Sequence, residues 1–293
     1  MYSPDIKYED FLRAERQKYP ELDPEKLDRI KDLASANEKL PPINSDAHFD
    51  EHKAYEMLVN YYKVRKQLPH IFTPSDPTEE ELNKMFDVMS HSILYTENED
   101  KGIRYLYTQF KITNAKHFKF ADQAKYYFLM VKCLLVEYGT FDGVVVVWNL
   151  VGLNYWHLRK IKIFYRNQII RLLNLIQDNA PLRIKECHIL NSGAVTLYAY
   201  AKVKYILNKE FRKKIHFHRP KSAEIFKFVH KDIMPMDFEG GCGLSHSEQS
   251  ETTLELMKSL RDRYMPGDIL SSDDKDQDEN QDEDDDEEVL LIV

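Results

Sequence analysis

The chain has 293 residues, 43% of them hydrophobic and 12% aromatic, enough for one good core or two modest ones. Apolar runs such as Val144 to Trp148 and Val289 to Val293 stop after five residues, far short of the roughly 20 that a membrane-spanning helix needs. The net charge of −8 is unevenly placed: Ser271 to Val293 hold twelve Asp or Glu and one Lys, which leaves the remainder at +3.

Met1-Tyr2-Ser3-Pro4-Asp5 lacks the charged-then-apolar layout of a secretion signal. Cys133, Cys187 and Cys242 are an odd set with no CxxC spacing, which points to neither a disulfide framework nor a zinc site. A cytoplasmic protein is expected.

The first 90 residues read as helical, over Tyr8 to Lys18, Pro24 to Ala36, Asp50 to Gln67 and Thr78 to Ser90. Asp23 before Pro24, and Thr78 before Glu79, are suitable helix starts. Leu40-Pro41-Pro42 and the stretch from Pro69 to Pro77 interrupt the pattern. Gly102 to Phe110 is aromatic and β-branched enough for a strand, and a helix follows from about Phe120 to Glu137. The run Val144-Val145-Val146-Val147-Trp148 comes next. A strand this apolar needs cover on both faces, which predicts a parallel sheet wrapped by helices.

From Tyr155 to Asp178 apolar residues recur at helical spacing, predicting one long crossover helix. Cys187 to Leu190 is a second short strand. Asn191-Ser192-Gly193 then opens a helix in which Val195, Ala199, Val203, Leu207 and Phe211 lie four apart, with Tyr198 and Ile206 widening the apolar face. Lys214 to His218 closes the unit as a strand. Strand, helix, strand, helix, strand makes an α/β domain behind an all-helical one.

Between Lys202 and Lys231, ten Lys or Arg face only Glu210 and Glu224, which suggests an anionic partner. No zinc-finger, RRM or KH signature accompanies them, so lipid headgroups fit better than nucleic acid. His216 and His218 share a strand face near His188, but no carboxylate or cysteine is spaced to complete a metal shell, and they read as ordinary strand histidines. GxSxG, P-loop, Rossmann glycine and HExxH patterns are absent. No enzyme, cofactor or metal is expected. Asp273 to Glu288 lacks apolar content and reads as a disordered acidic tail, and Leu290-Leu291-Ile292-Val293 has the form of a ligand for a PDZ-type groove.

Taken in order, Gly143 with its Val-rich strand, Asn149-Leu150-Val151-Gly152-Leu153, Ala180-Pro181-Leu182-Arg183-Ile184-Lys185, His188-Ile189-Leu190-Asn191, Lys213-Lys214-Ile215-His216 and Met234-Pro235-Met236-Asp237-Phe238-Glu239-Gly240-Gly241 resemble the CRAL-TRIO (Sec14-like) lipid-binding family. The texture is closest to its α-tocopherol transfer and retinaldehyde-binding group, particularly the insect members, over about residues 50 to 245. The resemblance implies a mostly parallel sheet covered by helices, with an amphipathic gate helix matching Asn191 to Lys214. It implies an N-terminal helical domain over 1–90, shortened near 44–50, a lipid-binding domain over 91–245, a C-terminal helix over 246–267 and the acidic tail over 268–293.

By the same resemblance one hydrophobic small molecule or lipid sits on a floor of Val144, Val146 and Trp148. Leu172, Leu175 and Ile176 form a wall, Ala199, Val203 and Leu207 the gate, and Tyr127 and Val131 further contacts. Arg183, Lys185 and Lys214 match positions that hold a phosphoinositide headgroup in the tocopherol transfer subgroup, while a fourth basic position is Glu210 here. Asn149 and Val151 stand where acidic residues are common, and Gly193 where proline is usual. Two function classes follow. One is a carrier moving a tocopherol-, retinoid- or phospholipid-like molecule between membranes, and the other is a lipid-sensing protein whose acidic tail recruits a partner.

Overall fold

The computed structural model describes residues 17, 25, 29, 51–72, 80–94, 102–138, 141–164, 166–178, 180 and 182–260. The helices expected over Tyr8 to Lys18 and Pro24 to Ala36 lie outside the described residues, apart from Gln17, Glu25 and Arg29, which are helical. The shortened segment near 44–50, the end of the C-terminal helix and the acidic tail with its PDZ-like terminus also lie outside them.

A five-stranded sheet organises the described residues, in the order β1 (Met89–Leu94), β2 (Ile103–Phe110), β3 (Gly143–Asn149), β4 (Ile184–Leu190) and β5 (Ile215–Phe217). β1 and β2 are antiparallel, and every other pair is parallel. Before the sheet come α1 (Glu51–Gln67), α2 (Pro69–Phe72) and α3 (Glu80–Val88). The crossovers are α4 (Phe120–Tyr138) from β2 to β3, α5 (Tyr155–Phe164) with α6 (Arg166–Asp178) from β3 to β4, and α7 (Ala194–Val203) with α8 (Lys209–Lys213) from β4 to β5. α9 (His246–Ser259) ends the described chain, started by a capping box between Ser245 and Glu248.

β3 sits centrally, and Val144, Val145, Val146 and Val147 are all buried, as a strand covered on both faces requires. The two covers differ. Val144 and Val146 join a core with Met130 and Leu134 of α4 and Leu254 and Met257 of α9. Val145 and Val147 pack instead on Ile225, Val229, Ile233, Met234 and Phe238. That second cover is a 3₁₀ turn (Ala223–Lys227) and the loop after it, where the sequence suggested helices.

β1 was the strand hidden in the sequence. The helical pattern there predicts helix to Ser90, yet α3 ends at Val88 and Met-Ser-His-Ser-Ile-Leu runs on as an edge strand. Its polar residues Ser90, His91 and Ser92 are buried, and the imidazole is met on both sides: His91 Nδ1 lies 3.0 Å from Thr108 Oγ1, and its Nε2 bonds Gln123 Oε1. The open side of the strand is covered by α9, where Thr253 Oγ1 accepts from Ile93 N at 3.0 Å and Ser250 Oγ donates to the His91 carbonyl at 3.4 Å. An edge satisfied in this way is protected from pairing with another chain.

The crossover from β3 to β4 is helical over α5 and α6, as expected. The long helix expected in the third crossover is divided: α7 stops at Val203 before α8 begins at Lys209. Asn208 makes the break: its Oδ1 accepts from Phe211 N at 2.7 Å, an N-cap. Its backbone N donates to Gln177 Oε1 and its Nδ2 to Asp178 Oδ1, each at 2.8 Å. The break is thereby tied to the C-terminus of α6. Asn208→Ala is expected to cost about 1 kcal/mol, typical of a lost N-cap, and to speed tryptic cleavage at Lys204 and Lys209, read by limited proteolysis.

Candidate ligand-binding cavity

A cavity of about 590 Å³ lies between the sheet face of Val144, Val146 and Trp148 and the helices of the crossovers. Its floor continues through Ile184, Cys187 and Ile189 of β4 and Ile215 and Phe217 of β5. A register shift against Val144 and Val145 adds a residue to β4 at Lys185, which explains how positions 184 and 187, three apart, share one face.

The walls come from helices that each show one stripe. α4 presents Tyr127, Phe128, Val131, Lys132, Leu135 and Val136, and α6 presents Ile169, Leu173 and Ile176. Leu172 and Leu175 were placed on this wall by the sequence, but the structure turns them away into a cluster with Leu68, Ile71 and Phe72. At about 100° per residue, neighbouring positions on a helix face different ways, and the wide apolar stripe of this segment serves two surfaces. The other nine expected pocket positions, Tyr127, Val131, Val144, Val146, Trp148, Ile176, Ala199, Val203 and Leu207, all line the cavity. Wall residues unrecognised in the sequence include Phe128, Lys132, Leu135 and Val136 of α4, Ile169 and Leu173 of α6, and Tyr61, Tyr62 and Arg65 of α1.

Above the cavity lies the divided helix. Thr196, Ala199, Tyr200 and Val203 of α7 face inward, followed by Leu207 and Phe211. Tyr200 packs edge-on against Phe217, with centroids 4.8 Å apart. Tyr198, assigned to the inner face by its spacing, instead points to solvent with Leu197, each about half exposed, and Tyr205 beyond the helix end is 80% exposed. Lys202 lies 5.4 Å from the Tyr198 ring and Lys204 4.9 Å from the Tyr205 ring. The segment is therefore apolar within and aromatic and basic outside.

Its entry is a hydrogen-bonded turn. Asn191 adopts φ 54°, a conformation asparagine tolerates better than most residues. Its Nδ2 donates to Asn149 Oδ1 at 2.6 Å, and Asn149 Nδ2 donates to Tyr107 OH at 2.8 Å. Ser192 donates through Oγ to the Ile189 carbonyl and through N to the His218 carbonyl. Gly193, the N-cap of α7, brings no side-chain bond, so these neighbours fix the start of the helix.

Arg183, Lys185 and Lys214 gather where the parallel strands begin. Lys214 Nζ donates to the Ile184 carbonyl at 2.9 Å. Burial, then the charges of Arg183 and Lys185, pull the Lys214 pKa below its usual value, opposed by Glu210. Glu210 is itself paired with Lys213 at 2.8 Å in an exposed contact. On the other face of the sheet, His188 and His218 share a hydrogen bond of 2.9 Å, His188 Nε2 lies 3.0 Å from Glu186 Oε2, and His216 stacks on His188. Among the described residues no His, Cys, Asp or Glu group is arranged to hold a metal, and no helix is long and apolar enough to cross a membrane.

The family model for the CRAL/TRIO domain matches residues 89–240, from the first residue of β1 to the loop that covers the back of the sheet. The chain belongs to the CRAL/TRIO family. As a CRAL/TRIO protein it is similar to "Alpha-tocopherol transfer protein-like" of Mus musculus, 22% identical over 199 residues, with 67% of this chain and 55% of that protein covered. The Homo sapiens protein of the same name is 21% identical over 205 residues, covering 67% and 56%. The chain thus spans about half the length of the curated relatives it matches. A crystal structure of Sfh5 aligns with 86% of each chain at 16% identity and a TM-score of 0.48. The family match begins at β1, the strand that hydropathy missed.

Proposed function

We propose that this protein is a carrier that encloses one hydrophobic small molecule or lipid and transfers it between membranes. The observation that carries the reading is the cavity of about 590 Å³, apolar over nearly all of its lining and roofed by a helix pair whose inner face is apolar. Its volume lies within the roughly 300–1,000 Å³ typical of small-molecule sites. A closed apolar site competes with a bilayer only when it removes nearly all of the ligand from water, at about 25 cal/mol per Å². The names of the relatives point to a tocopherol-like molecule, and retinoids and phospholipids belong to the same chemical range.

Opening of α7 and α8 exposes Ala199, Val203 and Leu207. A membrane covers that surface, so exchange is coupled to contact with a bilayer. The outward Leu197, Tyr198 and Tyr205, with Lys202 and Lys204 beside them, suit the interface of an anionic leaflet. Arg183, Lys185 and Lys214 form a cationic cluster at the far end of the same segment, suited to a phosphoinositide headgroup. Arg183→Ala with Lys185→Ala is expected to weaken co-sedimentation with anionic vesicles severalfold at low salt and little at high salt. Equal sedimentation at both ionic strengths would remove the cluster from the account.

The carrier reading is tested by native mass spectrometry of the purified protein with extraction of its lipid. One ligand per chain, released to acceptor vesicles, is the expected result. A chain that carries nothing and takes up no lipid from donor vesicles would sink the reading.

A further inference from the structure

The described chain ends at Leu260, just past α9, and the sequence beyond it is strongly acidic: Asp273 to Glu288 hold twelve Asp or Glu and one Lys. The fold fixes the point from which that stretch departs. α9 runs beside β1 in the same direction, with Ser250 at the His91 carbonyl and Thr253 at Ile93 N. β1 is antiparallel to β2, and its last residue, Leu94, pairs with Tyr105 near the first residue of that strand, Ile103. α9 therefore ends where the parallel strands begin. Leu260 is buried there in one cluster with Val144, against Leu182 and Ile184.

That end of the sheet is cationic. Arg183 immediately precedes β4, and its carbonyl accepts from Val144 N at 2.8 Å. Lys185 is the extra residue at the register shift, and its side chain lies across Gly143, where an added Cβ would stand 2.9 Å from the lysine Cγ. Lys214 precedes β5 and reaches the Ile184 carbonyl. The three charges are close enough to oppose one another. Glu210 is paired with Lys213, and among the described residues no carboxylate pairs with Arg183, Lys185 or Lys214.

The reach is sufficient. From β1 to β4 is about 15 Å at the usual strand spacing, and the thirteen residues from Leu260 to Asp273 span up to about 40 Å. A segment tethered at this range has an effective concentration on the order of mM, which favours it over a free acidic partner. We propose that the acidic segment 273–288 docks on the Arg183, Lys185 and Lys214 cluster of its own chain and shields it, so that an anionic membrane surface displaces the segment before the cluster engages. The contact rests on charge complementarity and goes beyond the carrier reading, which stands without it.

The contact is tested by zero-length carbodiimide coupling of the full-length protein, read by peptide mass spectrometry. Amide links from Lys185 and Lys214 to carboxylates of 273–288 are expected at low salt, and their loss at about 0.5 M salt, where screening is strong. Links spread evenly over the exposed Lys202, Lys221, Lys227 and Lys231 overturn the proposal. The consequence is tested in a full-length variant in which the seven acids from Asp282 to Glu288 are changed to Asn or Gln. Its affinity for phosphatidylcholine vesicles containing phosphatidylserine is expected to rise about threefold or more at low salt, and the gain to vanish when Arg183→Ala and Lys185→Ala are added. No gain, or a gain of equal size in that second background, which marks a general charge effect, overturns the proposal. Lipid carried per chain is expected to match the wild type in both variants, so either failure leaves the carrier reading standing.

Discussion

Val146→Trp is expected to abolish ligand uptake in a protein that still folds, whereas Val147→Trp, one residue along, is expected to damage the fold itself. Val146 faces the cavity from the centre of β3, paired with Leu106 and Cys187. A tryptophan there extends into the space of about 590 Å³ that a ligand would fill. Val147 faces the opposite side and packs on Tyr107, Leu190 and Met234, each fully buried. Adding a large ring to a filled core costs about 1–3 kcal/mol, and sometimes more. The ligand-free melting midpoint of V146W should lie near that of the wild type while extracted lipid falls at least tenfold. V147W should melt several degrees lower. If both variants lose stability equally, Val146 faces filled core and the cavity assignment fails.

Mild acid is expected to destabilise the protein steeply, before its carboxylates titrate. His91 is 4% exposed, and burial lowers its pKa from 6.5 to about 4, with the Gln123 hydrogen bond opposing and the Lys111 charge assisting. Burial likewise lowers His188, against its bond to Glu186 and with help from His218 and His216. His218 is lowered by burial and by His216, with Glu224 opposing, and His157 by burial and Lys160. In every case the folded state holds the proton less well than the unfolded chain. The stability is fully present above about pH 6.5 and is lost as the pH falls from there toward 4, because the unfolded state protonates first. His91 alone accounts for about 3 kcal/mol across that window. The urea midpoint should fall between pH 7.5 and 4.5, and His91→Gln should fall less steeply. A midpoint that holds constant to pH 5 would contradict this.

The acid response shows which residues were legible in advance. His188, His216 and His218 were visible as strand histidines, and the structure brings them together, with His188 and His218 buried. His91 gave no such signal, because Ser90, His91 and Ser92 look like a polar stretch at the end of a helix. The partners of His91 are Thr108 and Gln123 for its ring and Ser250 of α9 for its carbonyl, all distant in sequence. The division between α7 and α8 has a local sign in Asn208, a good N-cap residue ahead of Lys209 and Glu210, but the four-residue spacing continues through Leu207 and Phe211 and masks it.

Periodicity and turn chemistry alone were enough to locate β2 to β5, α4 and the inward edge of α7, since a hydrophobic repeat is a local property that survives without knowledge of neighbours. Nine of the eleven expected pocket positions followed from those repeats and the family resemblance. Packing decided the rest. It chose which of two adjacent faces of α6 meets the cavity, turned Tyr198 outward, set a polar segment between β2 and α9 as β1, and brought α1 to the cavity lining. A side chain's neighbours across the fold are set by long-range contacts, and the sequence around it carries no record of them.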